Sequence, residues 1–127
     1  MAMMDVFTVE IDTENMVRRP MRRQLDNQNT LKGMYKYIKC DLVDCVSTEI
    51  DGHYYDIWCD DEGLLIDHPI PNIYLSDYQI ICGNVLIAKS DEEGRTVGLD
   101  SSDFDRLLKW TEKNAEQLAD YFKRRKH

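Results

Sequence analysis

Residues 42–59, LVDCVSTEIDGHYYDIWC, decide the fold. The runs 42–50 and 54–59 are rich in β-branched and aromatic residues, which favour strands. Between them stands Asp51-Gly52, a pair preferred in two-residue type I′ turns. The stretch therefore predicts an antiparallel hairpin in which the numbers of facing residues add up to 103.

Further strands are predicted on both sides of this hairpin. Residues 6–11 and 64–66 are short apolar runs, and residues 95–99 have the composition of an edge strand. Residues 78–89, YQIICGNVLIAK, predict one long central strand with a bulge or a close backbone approach at Gly83-Asn84. The two prolines within residues 67–72 predict an irregular loop.

Two segments have helical periodicity. Thr30 is positioned to cap a short helix that carries Met34 and Ile38 on one side. Residues 101–125 predict a long terminal helix with an apolar stripe, capped by Asp100 or one of the two following serines. The predicted fold class is α+β: a mostly antiparallel β-sheet with a short helix and a long C-terminal helix packed on one face.

The chain is predicted to contain one folded domain preceded by an arm. Its 127 residues, 43% hydrophobic and 31% charged, suit a single globular domain. Residues 1–29 are assigned to a first strand followed by a linker or long loop, because residues 13–29 are polar and rich in arginine. Residues 30–127 are assigned to the domain itself, including the helix at 101–125.

Composition also restricts the cellular setting. No apolar run is long enough to span a membrane, and residues 1–10 lack the features of a signal peptide. Four cysteines without an export signal indicate a reducing compartment. We therefore expect a cytoplasmic protein that does not bind membranes.

The net charge of −8 is concentrated in the middle of the chain. Residues 41–105 contain sixteen acidic side chains and only Lys89 and Arg95 as bases. One interpretation is simple solvation of the surface. The other is a surface that competes with nucleic acid for a basic groove, and it nominates two acidic turns: Asp60, Asp61 and Glu62, and Asp91, Glu92 and Glu93. Either interpretation disfavours direct nucleic-acid binding by this segment.

The cysteines are candidate metal ligands. Cys40, Cys45, Cys59 and Cys82, with His53 or His68 as alternative ligands, have the chemistry of a structural zinc site. The hairpin register places Cys45 opposite Trp58, and a one-residue bulge would bring it opposite Cys59. The spacing has no CxxC pair, so ordinary buried thiols are the competing interpretation. No base-bearing motif accompanies any cysteine, which disfavours a catalytic thiol.

Aromatic residues are dense around the hairpin. Tyr54, Tyr55 and Trp58 fit either cross-strand packing at the edge of the core or a protein-binding surface. The sequence contains no phosphate loop, nucleophile elbow or HExxH motif. No catalytic residue is therefore assigned, and a non-enzymatic protein is expected.

From residue 30 onward the chain resembles a small domain of unknown function that is common in phages and mobile elements of low-GC bacteria. The resembling segments are TLKGM at 30–34, the strand at 41–49, CDDEG at 59–63, IICGNVLI at 80–87 and Leu99-Asp100. The resemblance implies no enzyme activity. It implies a phage or prophage setting, and in size and charge the chain is similar to inhibitors of type II CRISPR nucleases, some of which carry zinc.

These observations lead to two functional hypotheses. The first is a non-enzymatic inhibitor that binds a basic, nucleic-acid-handling host protein, such as an RNA-guided CRISPR nuclease, and hinders nucleic-acid loading. The second is a small structural or regulatory protein of a mobile element that acts through the aromatic hairpin.

Overall fold

The computed structural model of the chain describes residues 2–63 and 69–125. These residues form a six-stranded antiparallel sheet, a two-stranded sheet, one short helix and one long terminal helix, so the predicted α+β class is confirmed. The elements are β1 (Met3–Asp12), β2 (Val17–Asp26), α1 (Thr30–Ile38), β3 (Val43–Ile50), β4 (His53–Asp60), β5 (Pro71–Ser76), β6 (Gln79–Cys82), β7 (Val85–Ser90), β8 (Thr96–Val97) and α2 (Ser101–Arg124).

The hairpin of β3 and β4 has the predicted turn and register. Asp51 and Gly52 have φ of 52° and 81°, as a type I′ turn requires. Ile50 pairs with His53, and Cys45 pairs with Trp58. No bulge shifts this register, so Asp44 faces Cys59.

Strand β7 is the centre of the main sheet, whose strand order is β2-β1-β7-β4-β3, with β8 paired to the end of β7. Residues 85–88 of β7 are completely buried, because both faces of the sheet are covered. On one face, Leu86 and Ala88 pack with Met34 of α1. On the other, Val85 and Ile87 belong to the core that includes Leu107 of α2. The two helices therefore lie on opposite faces of the sheet.

Helix α1 begins differently from the prediction. Thr30 is its first residue, and the cap is Asn29, whose side chain accepts a hydrogen bond from the Lys32 N–H at 3.3 Å. A Cβ at position 33 would collide with the terminal methyl group of Leu25 on β2, so Gly33 avoids a displacement of that buried side chain. The helix therefore packs closely on the sheet, which offsets the helix-forming cost of glycine.

The linker predicted at residues 13–29 is wrong for most of its length, because residues 17–26 form β2. This strand pairs with β1 along ten residues, and three of its four arginines bind carboxylates of β1. Arg22 binds Asp5 at 2.6 Å, and Arg23 binds Glu10 at 2.8 Å. The arginine-rich composition is therefore that of an exposed edge strand whose charges are neutralised by the adjacent strand.

The single long strand predicted at residues 78–89 is also wrong. It is divided into β6, which pairs with β5, and β7, which belongs to the main sheet. Gly83 has φ of 84° at the division, and its N–H donates to the Ile70 carbonyl at 2.8 Å. Part of the loop predicted at 67–72 is likewise strand, since β5 begins at Pro71. The strand predicted at 64–66 lies outside the described residues.

Helix α2 is held to the sheet at its first turn. Asp100 caps it and forms a reciprocal capping box with Asp103. The Asp103 carboxylate is buried, accepts a hydrogen bond from the Tyr55 hydroxyl at 2.7 Å, and lies 2.8 Å from Lys89 Nζ and 3.2 Å from Arg106 Nη1. Among the described residues, neither helix has the length and apolar content needed to cross a bilayer.

The Asp103 cluster predicts a loss of stability in acid. Burial alone would raise the pKa of Asp103, but Lys89, Tyr55 and the Asp100 N–H together lower this pKa to about 2. A carboxyl group whose pKa is lower in the folded state stabilises the fold above its unfolded pKa and loses this effect as pH falls. We expect Asp103→Asn to lower the free energy of unfolding at pH 7 by about 2–3 kcal/mol.

Urea unfolding at several pH values checks this. The stability difference between wild type and Asp103→Asn should shrink as pH falls from about 5 to about 2. Asp105→Asn is the matched control, because Asp105 is exposed in the same helical turn. A difference that is constant across this pH window would contradict the assignment.

The structure also predicts the effect of removing the N-terminal segment. Deletion of residues 1–27 removes β1 and β2, and with them the buried side chains of Val6, Phe7, Val9 and Leu25. We expect loss of cooperative unfolding, measured by circular dichroism during thermal denaturation.

Point substitutions in the full chain test the same segment. Phe7→Ala should lower the free energy of unfolding by about 3–5 kcal/mol. Met16→Ala, at an exposed turn residue, should lower it by less than about 0.5 kcal/mol. A truncated protein that unfolds cooperatively would restore the predicted boundary near residue 29.

Candidate functional site

The β3–β4 hairpin and its flanking turns form an acidic segment, residues 41–62. This acidic hairpin contains eight carboxylate side chains and no lysine or arginine. The eight are Asp41, Asp44, Glu49, Asp51, Asp56, Asp60, Asp61 and Glu62. Because β3 is an edge strand of the sheet, the hairpin lies at one side of the molecule.

The carboxylates of the acidic hairpin differ from those of β1 in having no cationic partner among the described residues. On β1, Asp5, Glu10 and Asp12 each form an ion pair with an arginine of β2, at 2.6–2.9 Å. No carboxylate of the acidic hairpin forms an ion pair with any residue that the structure describes. The negative charge of the hairpin is therefore not neutralised within the described chain.

One face of the hairpin combines charge with an exposed aromatic ring. Tyr54 is 73% exposed and lies opposite Glu49 on the neighbouring strand. Asp56 lies two residues after Tyr54 on β4, and its carboxylate accepts a hydrogen bond from the Ser47 hydroxyl at 3.0 Å. This face is on the side of the sheet that carries α1, because Trp58 of the same alternation packs against the core under that helix. An aromatic side chain among carboxylates is suited to contact a cationic protein surface.

The opposite face of the hairpin borders a cavity of about 400 Å³. Asp44, Asp60 and Asp61 line it together with the buried side chains of Cys59 and Ile81. Carboxylates beside apolar groups complement lysine and arginine side chains, which have an apolar stem and a charged end.

The second acidic turn, Asp91 to Glu93, lies at the other end of the sheet. Antiparallel pairing of Asp56 with Ala88 places the end of β4 beside the start of β7, away from this turn. Asp91 accepts hydrogen bonds from the N–H groups of Glu93 and Arg95, both at 2.9 Å, and Arg95 also forms ion pairs with the carboxylates of Asp91 and Glu93. Turns 60–62 and 91–93 therefore do not form one surface, and the latter is largely satisfied by its own contacts.

The structure separates the two tyrosines that the sequence grouped together. Tyr55 is 1% exposed and donates a hydrogen bond to Asp103, so its assignment to a partner-binding surface is wrong. Its neighbour Tyr54 points to the opposite, open side of the hairpin. Sequence reasoning also missed Asp44, Glu49 and Asp56 as individual site residues, although the absence of basic residues from 41–62 was a visible signal.

The four cysteines are not gathered into one cluster. Cys59 packs in the core on the α2 side, and Cys40 packs against the core on the α1 side. Cys45 lies directly opposite Trp58, hence on the α1 side as well. Cys82 and Cys59 both line the 400 Å³ cavity that Asp44, Asp60 and Asp61 border, called the acidic cavity below.

This arrangement does not fit a four-thiol zinc site. Cys45 and Cys59, expected to be the surest pair of ligands, lie on opposite faces of the sheet. Within residues 2–63 and 69–125 no three metal-ligating side chains are grouped as a metal site. His53 is part of no such group, and His68 lies outside the described residues. Zinc binding stays a prediction from the sequence.

The environment of the thiols predicts weak reactivity. Burial, followed by nearby carboxylates, raises the pKa values of Cys40, Cys45 and Cys59 to about 11. Because the thiolate is the nucleophile, maleimide labelling of native protein at pH 7 should be much slower than labelling of a free cysteine peptide. Rapid labelling of Cys45 would contradict this prediction.

The zinc prediction has a separate test. Elemental analysis of protein purified without a metal-binding tag decides between bound zinc and thiols that only pack.

Comparison with known proteins places the chain in a family. Residues 4–112 match the family described as Domain of unknown function (DUF3846). A search of the curated proteins found no match, and a search of the solved structures found none either. The match spans β1 to the first half of α2, that is, the complete main sheet and the acidic hairpin. The chain therefore belongs to the DUF3846 family of domains of unknown function.

Proposed function

We propose that the protein is a non-enzymatic inhibitor that binds a basic, nucleic-acid-handling protein through the acidic hairpin and hinders nucleic-acid loading. The observation that carries this proposal is the set of eight carboxylates within residues 41–62 without a lysine, an arginine or an intramolecular ion pair among the described residues. Unneutralised charge of this density costs stability through self-repulsion. A basic partner groove removes that cost.

The charge spacing supports imitation of a single nucleic-acid strand. Eight residues of β-strand extend about 26 Å at roughly 3.3 Å per residue. One strand of a duplex carries about one charge per 3.4 Å of helix axis, so about eight charges occupy the same length. A duplex carries twice as many. The acidic hairpin therefore carries charge at a density close to that of one strand of a duplex, divided between its two faces.

The proposed partner class rests on the setting that the family resemblance implies. A phage or mobile-element protein gains from disabling a defence nuclease in the host cytoplasm, and RNA-guided CRISPR nucleases hold nucleic acid in positively charged channels. Family membership assigns no activity, so this partner rests on the resemblance in size and charge to inhibitors of type II CRISPR nucleases.

A second candidate function uses the same hairpin through its aromatic residue. Tyr54 is exposed, and tyrosine is a common anchor in protein interfaces. This observation favours a small structural or regulatory mobile-element protein that binds a partner without imitating nucleic acid. In that case Tyr54→Ala would abolish binding, whereas salt would have little effect.

Charge reversal separates these candidates. We expect Asp60→Lys, Asp61→Lys and Glu62→Lys together to weaken binding to the nuclease by at least about tenfold, because long-range attraction between opposite charges is lost. Wild-type association should slow steeply with added salt, since screening acts over about 8 Å at physiological ionic strength. Biolayer interferometry with a purified Cas9-type nuclease, with and without guide RNA, measures both effects.

The chain offers two matched controls. Reversal of Asp91, Glu92 and Glu93 changes the same number of charges at the far end of the sheet and should have the smaller effect. Reversal of Lys109 and Lys113, exposed on α2, should leave affinity unchanged or slightly higher. Equal binding by all variants, with no salt dependence, would refute the proposed function.

A further inference from the structure

The free side of β3 presents backbone groups that have no partner among the described residues. In an antiparallel pair, alternate residues direct their N–H and C=O groups toward the neighbouring strand and away from it. The Asp61 N–H donates to the Leu42 carbonyl at 3.0 Å, which fixes this alternation. Residues 44, 46, 48 and 50 therefore bond to β4, and residues 43, 45, 47 and 49 face outward.

Only one of these outward N–H groups is occupied by another part of the described chain. The Cys45 N–H donates to its neighbour Asp44 at 2.8 Å. The N–H groups of Ser47 and Glu49 have no acceptor among the described residues. A run of free groups thus remains at the half of β3 nearest the turn.

The opposite edge of the sheet is protected in ways that β3 is not. Strand β2 contains Pro20, which cannot donate to an added strand, and it contains four arginines. The Gln24 carbonyl of β2 also accepts a hydrogen bond from the Tyr37 hydroxyl at 3.3 Å. Strand β3 pairs with β4 along eight consecutive residues and contains no proline, lysine or bulge. Natural sheets usually protect such an edge.

We propose that β3 accepts an extended, lysine- or arginine-rich segment of the partner protein as an additional strand of the main sheet. This inference rests on the proposed function and specifies how the partner is bound. Main-chain hydrogen bonds would supply affinity, and alternate side chains would supply specificity.

Charge complementarity on both faces selects the basic occupant. Side chains of an added strand that lie beside Asp44 and Val46 would be on the face of the acidic cavity. Side chains beside Ser47 and Glu49 would be on the other face, near Asp56 and Tyr54. Both faces present carboxylates that have no ion pair within the described residues, so basic side chains are favoured at either alternation.

The same charges disfavour a second copy of this chain on β3. Pairing two β3 strands would bring together two hairpins of eight carboxylates each, and like charges directly opposite destabilise a sheet. Pairing β3 with β2 of another copy would meet Pro20 and arginines already bound to β1. A partner with free basic residues avoids both problems.

A synthetic peptide of eight residues, alternating lysine and valine, is the probe that tests this inference. Its control is the same peptide with every backbone nitrogen methylated, which keeps the charge and removes the donors on both edges of the added strand. We expect the methylated peptide to bind the full chain about tenfold more weakly in isothermal titration calorimetry. Equal binding by the two peptides would overturn strand addition.

Two variants at one position test the protein side. Ser47→Pro removes an outward N–H without touching the ladder to β4 and should weaken binding of the unmethylated peptide about tenfold. Ser47→Ala keeps this N–H and controls for the lost contact with Asp56. Its affinity for the unmethylated peptide should stay within about twofold of the wild-type value. Circular dichroism of each variant verifies folding, and poor folding of Ser47→Pro would transfer the decision to the methylated peptide.

Amide hydrogen exchange gives an independent readout in the wild-type chain. The unmethylated peptide should slow exchange at Ser47 and Glu49, whose N–H groups face outward, and leave Thr48 unchanged. Peptide binding without that protection, or protection that arises from dimerisation of the chain alone, would overturn the inference. These results leave the charge-reversal experiment with the nuclease unaffected, so failure of strand addition is distinguishable from failure of the proposed function.

Discussion

The contact between Asp103 and the two central strands determines how the layers of this protein are joined. Its carboxylate binds Tyr55 of β4 and Lys89 of β7 while it also belongs to the first turn of α2. One buried side chain therefore sets the position of the terminal helix relative to the strands that form the centre of the sheet. Arg106 donates to the Tyr55 hydroxyl at 2.6 Å and completes the cluster. A buried carboxylate with these partners is stabilised as an anion, whereas any incomplete set would leave a buried charge uncompensated.

This docking leaves the acidic hairpin as a surface with a fixed backbone. Strand β4 is held on one side by β7 and through Tyr55 by the helix, so β3 and its turn extend from a rigid support. The carboxylates of the hairpin are thereby kept at the spacing of the strands. In a disordered acidic tail the same charges would separate to reduce repulsion, and ordering them on a partner would cost conformational entropy.

Local signals in the sequence predicted the parts of the fold that depend on local chemistry. Asp51-Gly52 determined the hairpin register, and Asp100 determined the start of α2. Strand β2 was missed because three of its four arginines are explained by carboxylates on β1, up to seventeen residues away. The division at Gly83 was missed because an apolar run contains no sign of which sheet each half joins. Within the candidate site, strand alternation shows that Tyr55 shares the inward side with Ile57 and Cys59, and Tyr54 does not.

Under the proposal of strand addition, the main sheet has one edge that accepts a strand, β3, and one that does not, β2. Pro20 and the bound arginines close the sheet at β2, so a strand added at β3 has no counterpart on the far side. Structures that grow by edge pairing need two competent edges per unit, as fibrils do. A unit with one closed edge ends any sheet that it joins. The protein would therefore terminate an assembly and could not propagate one, whatever its concentration.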